Sequence, residues 1–242
     1  MDEETLDEII DGRLRVFQKK RGYRFSLDAI LLAHFVSLKA KSKAIDLGTG
    51  SGIIPLVLAT RFPNVAWTGL EIQTELAELA NKSIELNCLQ NHINIVFGDA
   101  RKIKNIFPEH SFDAVTFNPP YRKINSGRIN PDQEKAVARH EISGSLKEFL
   151  LAAKYLLKPA GKVFTIYPAK RLAHLVSLFR ANSIEPKRMK FVFSDDKSVA
   201  EFVLVEGRAG AREELKIEPS LVIYGEDKMY TTQMNSIFSD LA

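Results

Sequence analysis

The sequence predicts an α/β fold, a mostly parallel sheet flanked by helices and closed by an antiparallel hairpin. Three observations predict it. From about residue 43, short apolar runs alternate with amphipathic stretches, the pattern of strand–helix units wound around a parallel sheet. A glycine-rich turn, Asp46-Leu-Gly-Thr-Gly-Ser-Gly52, joins the first run to the first amphipathic stretch. Near the other end, the apolar runs Arg188 to Phe193 and Val199 to Glu206 flank the polar Ser194 to Ser198 and read as an antiparallel hairpin.

The elements follow in order. Strands are expected at Lys43 to Leu47, Val65 to Glu71, Ile93 to Phe97 and Phe112 to Phe117. A helix follows Gly52, with Pro55 in its opening turn, where the missing N–H has no intrahelical partner to lose. A second helix starts at Thr74 and carries Leu76, Leu79, Ala80, Ser83 and Leu86 as one apolar stripe. A helix from Ser145 to Leu157 is expected to stop at Lys158-Pro-Ala-Gly161, before a strand from Lys162 to Tyr167 and a helix from Lys170 to Ala181. Residues 1–42 stand apart as an extension to a domain spanning 43–242. They hold a strand at Arg13 to Gln18 and a helix opening near Ser26, whose hydroxyl suits an N-cap. Residues 122–143 show no period, and unpatterned connections of that length are usually functional or disordered.

Composition narrows the function classes. The 242 residues are 45% hydrophobic and 26% charged, as in an ordinary globular protein. One cysteine, Cys88, excludes a disulfide framework and a thiolate zinc cluster. The acidic opening Met-Asp-Glu-Glu-Thr lacks a basic segment followed by an apolar one, and no apolar stretch reaches the roughly 20 residues that span a bilayer. The expectation is a cytoplasmic protein without a membrane anchor. The net charge of +4 permits a polyanionic partner. Basic residues cluster at Lys19, Lys20, Arg21 and Arg24, at Arg122, Lys123 and Arg128, and at Lys187, Arg188 and Lys190.

The glycine turn lets a ligand approach the backbone closely. Its G-x-G-x-G spacing differs from the G-x-G-x-x-G of dinucleotide sites, since Ile53 stands where the third glycine would be. Asp46 beside it repels phosphate and suits a cation such as an ammonium group. Glu71 ends the second strand, where a carboxylate can accept ribose hydroxyls, and Asp99 follows the third, where one can accept from an adenine amine. All three lie at carboxyl ends of successive strands, the edge at which such sheets bind ligands.

The fourth strand runs into Asn118-Pro119-Pro120-Tyr121. Its two prolines fix the backbone and remove two donors, leaving the Asn118 side-chain oxygen and the Pro119 carbonyl as acceptors. Two acceptors suit an exocyclic amine, and Tyr121 offers a face on which a planar base can stack.

In this order, Asp46-x-Gly-x-Gly-x-Gly52, Glu71, Asp99 and Asn118-Pro-Pro-Tyr121 resemble the class I S-adenosylmethionine-dependent amino-methyltransferases, a Rossmann-like fold with a seven-stranded sheet. The likeness covers about residues 43–206. It implies S-adenosyl-L-methionine as cofactor, with Asp46, Gly48 and Gly50 around the methionine part, Glu71 on the ribose and Asp99 on the adenine. Thr49, Ile72 and Ala100 would be further cofactor contacts. Asn118, Pro119, Pro120 and Tyr121 would hold the target. The segment Gln18 to Leu32 and Ala138-Arg-His-Glu141 are similar to the bacterial tRNA1(Val) (adenine-37) amino-methyltransferases. That resemblance places Tyr23, Phe25 and Asp28 beside the methionine end of the cofactor, so the 1–42 extension is expected to pack on the cofactor site.

The implied activity is methyl transfer to an exocyclic adenine amine in tRNA, next to the anticodon, without a metal. Lys19, Lys20, Arg21, Arg122, Lys123, Arg128, Arg139 and His140 are the expected RNA contacts. Methylation of a glutamine amide in a protein such as a release factor remains open, although residues 1–45 are short for the helical domain that precedes the glycine loop in that branch. An RNA-binding module without catalysis is a third reading, disfavoured by the intact Asn118 motif. Cys88 reads as a small buried or half-buried hydrophobe, and His34 and His174 as core or surface residues.

Overall fold

A computed structural model describes residues 4–10, 12–20, 27–119 and 144–241. The chain opens with an antiparallel hairpin of β1 (Glu4–Ile9) and β2 (Leu14–Lys19), paired from Glu4↔Lys19 to Ile9↔Leu14. The strand expected at Arg13 to Gln18 is β2, one residue later. β1 was not expected, because Glu4, Asp7 and Glu8 dilute the apolar signal of its Leu6 and Ile9. The hairpin lies on α3 (Thr74–Leu86): the Phe17 N–H donates to Ser83 Oγ at 2.9 Å, and Lys82 pairs with Glu4 at 2.7 Å. Ser26 lies outside the described residues, and α1 runs from Leu27 to Phe35.

The alternating units follow as expected: β3 (Lys43–Leu47), α2 (Ile53–Arg61), β4 (Ala66–Glu71), α3, β5 (Ile93–Phe97), a 3-10 turn (Ala100–Asn105) and β6 (Phe112–Phe117). α4 (Leu146–Leu156) starts at a capping box, with Ser145 accepting from the Glu148 N–H and Glu148 accepting from the Ser145 N–H. β7 (Leu157–Pro168) leaves α4 directly, without the stop expected at Lys158 to Gly161. Ala160 takes a left-handed φ of +59°, and the β6–β7 register shifts between Phe112 and Ala114, so these residues are absorbed as an irregular strand start. A short turn (Ala169–Arg171), α5 (Leu172–Ala181), β8 (Ile184–Phe193) and β9 (Ala200–Ala209) complete the expected set, and the hairpin strands are longer than their apolar cores suggested.

The strand order β8-β9-β7-β6-β3-β4-β5 is the expected seven, parallel except for β9 against β7 and β8. Two short strands, β10 (Lys216–Ile217) and β11 (Leu221–Val222), extend it along the outer edge of β8, and α6 (Thr232–Leu241) follows. Each face carries its own core. Ile30, Leu32, Leu56, Trp67, Phe164 and Met234 belong to one, and Ile45, Leu70, Phe117, Phe149, Leu156 and Phe179 to the other. This is the three-layer solution that a sheet buried on both faces requires.

Two basic residues are spent on holding α1 in place. Arg61 Nη1 donates to the carbonyls of Ala33, His34 and Val36 at 3.0, 2.6 and 2.7 Å, satisfying groups that a helix end leaves unpaired. Arg188 donates to the Phe35 carbonyl at 2.6 Å and pairs with Glu206 at 3.0 Å, while Lys190 pairs with Glu218 at 3.5 Å. Much of the Lys187 to Lys190 cluster is therefore a fold device. Cys88, expected as buried or half-buried, is exposed, because α3 ends at Leu86 and Cys88 takes a left-handed turn at φ +57°. No helix among the described residues is long and apolar enough to cross a membrane.

Candidate active site

The carboxyl ends of β3, β4, β5 and β6 bring Asp46, Glu71, Asp99 and Asn118 to one edge of the sheet. Between β3 and α2, Gly48, Gly50 and Gly52 all take left-handed φ, at +69°, +59° and +80°, a region that costs a residue with a Cβ. Gly48 also needs the space, since a Cβ there would lie 3.2 Å from the Phe149 ring. The loop is pinned from β4: the N–H groups of Gly48 and Thr49 donate to the Leu70 carbonyl at 2.8 and 3.0 Å.

Asp46 is fully buried. Its Oδ1 accepts from Thr116 Oγ1 at 2.7 Å, and its Oδ2 has no partner among the described residues. Burial pushes its carboxyl up to about 7, against the hydrogen bond from Thr116. A buried acceptor with an unused oxygen fits a cationic ligand.

Glu71 shapes the loop as well as facing it. Its Oε2 accepts from the Gly50 N–H at 2.8 Å and its Oε1 from the Gln73 N–H at 2.9 Å. Burial raises its carboxyl above the ordinary value, and those two N–H groups oppose the rise. Ile72 follows it on the same edge, half-buried.

Asp99 is clamped by Arg101, whose Nε lies 2.9 Å from both carboxylate oxygens and whose backbone N–H donates to Oδ1 at 2.9 Å. Burial would raise its carboxyl, but these bonds win and hold it below the usual carboxylate range. Ala100 opens the turn that Asp99 caps.

At the end of β6, Asn118 Nδ2 donates to Asp28 Oδ2 at 3.3 Å, and Asn118 Oδ1 is buried with no partner among the described residues. Asp28 is itself buried, at 6% exposure, in the first turn of α1. Pro119 is buried beside it. Tyr23, Phe25, Pro120 and Tyr121 lie outside the described residues, as do Arg21, Arg122, Lys123, Arg128, Arg139 and His140. Of the remaining basic residues expected to meet RNA, Lys20 is exposed and Lys19 is paired with Glu75.

Sequence reading missed Thr116 and Arg101. Thr116 was legible in part, because it lies two residues before Asn118 on a strand and so shares its face; its pairing with Asp46 depends on the register of β3 and β6. Arg101 carried no pattern beyond its closeness to Asp99.

From Arg101 an open groove of about 1310 Å³ runs along α4 to Lys187 and Arg212. Arg101, Lys102, Lys104, Lys154, Lys158, Lys187, Arg208 and Arg212 line it, against Glu109 and Glu148. Lys102, Lys154 and Arg208 have no carboxylate partner among the described residues.

This strand order, with a glycine loop and acidic side chains at the carboxyl edge, defines a class I methyltransferase. The chain belongs to the methyltransferase small domain family, whose model matches residues 26–192, and fold and family together imply S-adenosyl-L-methionine as methyl donor. The chain is 29% identical over 233 residues to a protein of Histophilus somni named tRNA1(Val) (adenine(37)-N6)-methyltransferase, covering 94% of both chains. A protein of that name from Porphyromonas gingivalis is 32% identical over 158 residues, 63% of this chain and 61% of its own. The match thus spans less than two thirds of the Porphyromonas relative. Among solved structures, one described as a predicted O-methyltransferase of Agrobacterium tumefaciens superposes with a TM-score of 0.72 at 20% identity, covering 89% of this chain and 97% of that one. A precorrin-6y C5,15-methyltransferase from Geobacter metallireducens superposes with a TM-score of 0.57 at 13% identity, covering 80% and 94%. Both likenesses concern the fold.

Proposed function

We propose that the chain transfers a methyl group from S-adenosyl-L-methionine to the exocyclic amine of an adenine in tRNA, next to the anticodon. The observation that carries this reading is the buried, unpartnered Oδ1 of Asn118 at the end of β6. A buried acceptor without a donor is costly, and an amine N–H entering the site satisfies it. The relatives named above support tRNA adenine as the target. The basic groove, which suits phosphates, supports a nucleic acid over a protein amide.

The carboxyl edge fits the donor. Asp46 Oδ2 suits the ammonium of the methionine part, with Gly48, Thr49 and Gly50 allowing close approach. On this reading Glu71 and Ile72 contact the ribose, and Asp99 and Ala100 the adenine. When bound, the donor supplies a methyl group on a positively charged sulfur, already activated for transfer. The chain's task is then alignment. On the same reading Asn118 Oδ1 accepts one N–H of the target amine and the Pro119 carbonyl accepts the other, which draws the nitrogen lone pair out of the ring and towards the methyl group. Both acceptors gain strength as the nitrogen becomes cationic, so they favour the transition state over the ground state. The nitrogen becomes strongly acidic only as it is methylated, so no side chain has to remove its proton beforehand.

Mass spectrometry of nucleosides in tRNA from cells with and without the gene tests the reading. N6-methyladenosine should disappear from one tRNA species when the gene is removed. An unchanged nucleoside profile, with methylation lost from a protein glutamine instead, would replace the RNA substrate by a protein one.

A further inference from the structure

We propose that Asp28 is a positioning residue for methyl transfer, holding the side-chain amide of Asn118 in the one orientation that presents its oxygen to the target amine. This rests on the transfer reading above and assigns Asp28 a task distinct from contact with the donor. The two ends of an asparagine amide have nearly the same shape and opposite hydrogen-bonding roles. Turned one way, Asn118 offers an acceptor to the amine; turned the other, it sets its own NH2 group against the incoming N–H donors. An ionised carboxylate can only accept. With Asp28 Oδ2 3.3 Å from Asn118 Nδ2, the NH2 end is committed to Asp28 and the oxygen is left facing away from it, buried and unpartnered.

Both partners stand on rigid supports. Asp28 begins a helix in which Ala29 to Ala33 are all buried. At the other end of that helix, Arg61 holds the carbonyls of Ala33, His34 and Val36. Asn118 follows a strand whose last four residues are buried. Ninety positions separate the two in sequence, so the contact is made by the docking of α1 against the carboxyl edge. That gives α1 a part in the chemistry although it contributes no strand.

A double-mutant cycle tests the assignment, with Asp28→Ala, Asn118→Ala and the pair read by single-turnover methylation and by calorimetric donor affinity. Asp28→Ala should slow transfer about 100-fold, the scale of a misplaced reacting group, and leave donor affinity within about two-fold, since the task proposed for Asp28 is exercised through Asn118. The double variant should be no slower than Asn118→Ala alone, since removing the amide leaves Asp28 nothing to orient. Asp28→Asn, which keeps the volume and one carbonyl acceptor, should recover part of the rate that Asp28→Ala loses. It also serves if the alanine variant fails to fold, which thermal melts reveal. A parallel loss of donor affinity, additive losses in the double variant, or an Asp28→Asn rate no better than that of Asp28→Ala would each overturn the proposal. A wild-type chain that methylates a glutamine amide and no RNA would overturn the substrate reading alone, because the same cycle run on that amide still reports on Asp28.

Discussion

The Thr116 hydroxyl donates to the Asp46 carboxylate at 2.7 Å in a fully buried position, tying β6, which leads into Asn118, to β3, which leads into the glycine loop. The proposed target and donor halves of the site are thereby locked in register. Thr116 satisfies Oδ1, while Oδ2 has no partner among the described residues and is the acceptor proposed for the donor's ammonium group.

Burial pushes Asp46 up to about 7, so donor binding should depend on pH through this group. Below that value the carboxyl is protonated and offers a cation no charge, so S-adenosylmethionine affinity should rise as pH increases from about 6 to 8, with the change centred near 7. Calorimetric titrations across that range check it. Asp46→Asn should bind weakly and lose the dependence, and a flat profile in the wild type would remove Asp46 from the donor site.

The same group should cost stability in the protein without ligand. The unfolded carboxyl ionises near 3.8 and the folded one near 7. Between those values the native state retains a proton that the unfolded state releases, so this contribution to stability falls as pH rises through the window and is fully lost above 7. Asp46→Asn cannot ionise, and its stability relative to wild type should grow from pH 4 to pH 8 in urea denaturation. Glu71, which burial also raises, acts on Asp46 through its charge, so the difference between the two proteins reports the coupled pair of carboxyls.

Arg61 closes the end of α1 with three carbonyl contacts. Arg61→Met keeps much of the apolar stem and removes the donors, which should destabilise the fold by about 2 kcal/mol. Chemical denaturation measures this directly, and a change within experimental scatter would mean that water satisfies those carbonyls.

The groove beside α4 makes a prediction about salt. Lys102→Glu, Lys154→Glu and Arg208→Glu together should weaken tRNA binding and flatten the log–log dependence of affinity on salt, by somewhat less than one unit for each phosphate no longer neutralised. Donor affinity should be unchanged. Equal tRNA affinity and slope in variant and parent would exclude the groove as a docking surface.

The carboxyl-edge residues were legible because each ends an apolar run that reads as a strand, and parallel strands bring such ends together whatever the loops between them do. Asp46, Glu71, Asp99 and Asn118 therefore came out in order. What they touch was not legible. Contacts such as Asp28 with Asn118, or Thr116 with Asp46, span 90 and 70 positions and depend on helix docking and strand register, which no local pattern encodes. Charge was misleading for a related reason. Arg188 and Lys190 read as a polyanion patch in sequence, but the fold sets Glu206 and Glu218 beside them. The first strand went unseen because its carboxylates mask an alternation that shows only against β2.

The most direct test of the account is reconstitution with tRNA and methyl-labelled S-adenosylmethionine, comparing the wild type with Asn118→Ala, followed by digestion to nucleosides. The wild type should place label in N6-methyladenosine. Asn118→Ala should reduce the transfer rate on the order of 1000-fold, as when one acceptor that strengthens in the transition state is removed, while donor affinity is kept. Label absent from adenosine, or a variant that transfers as fast as the wild type, would contradict it.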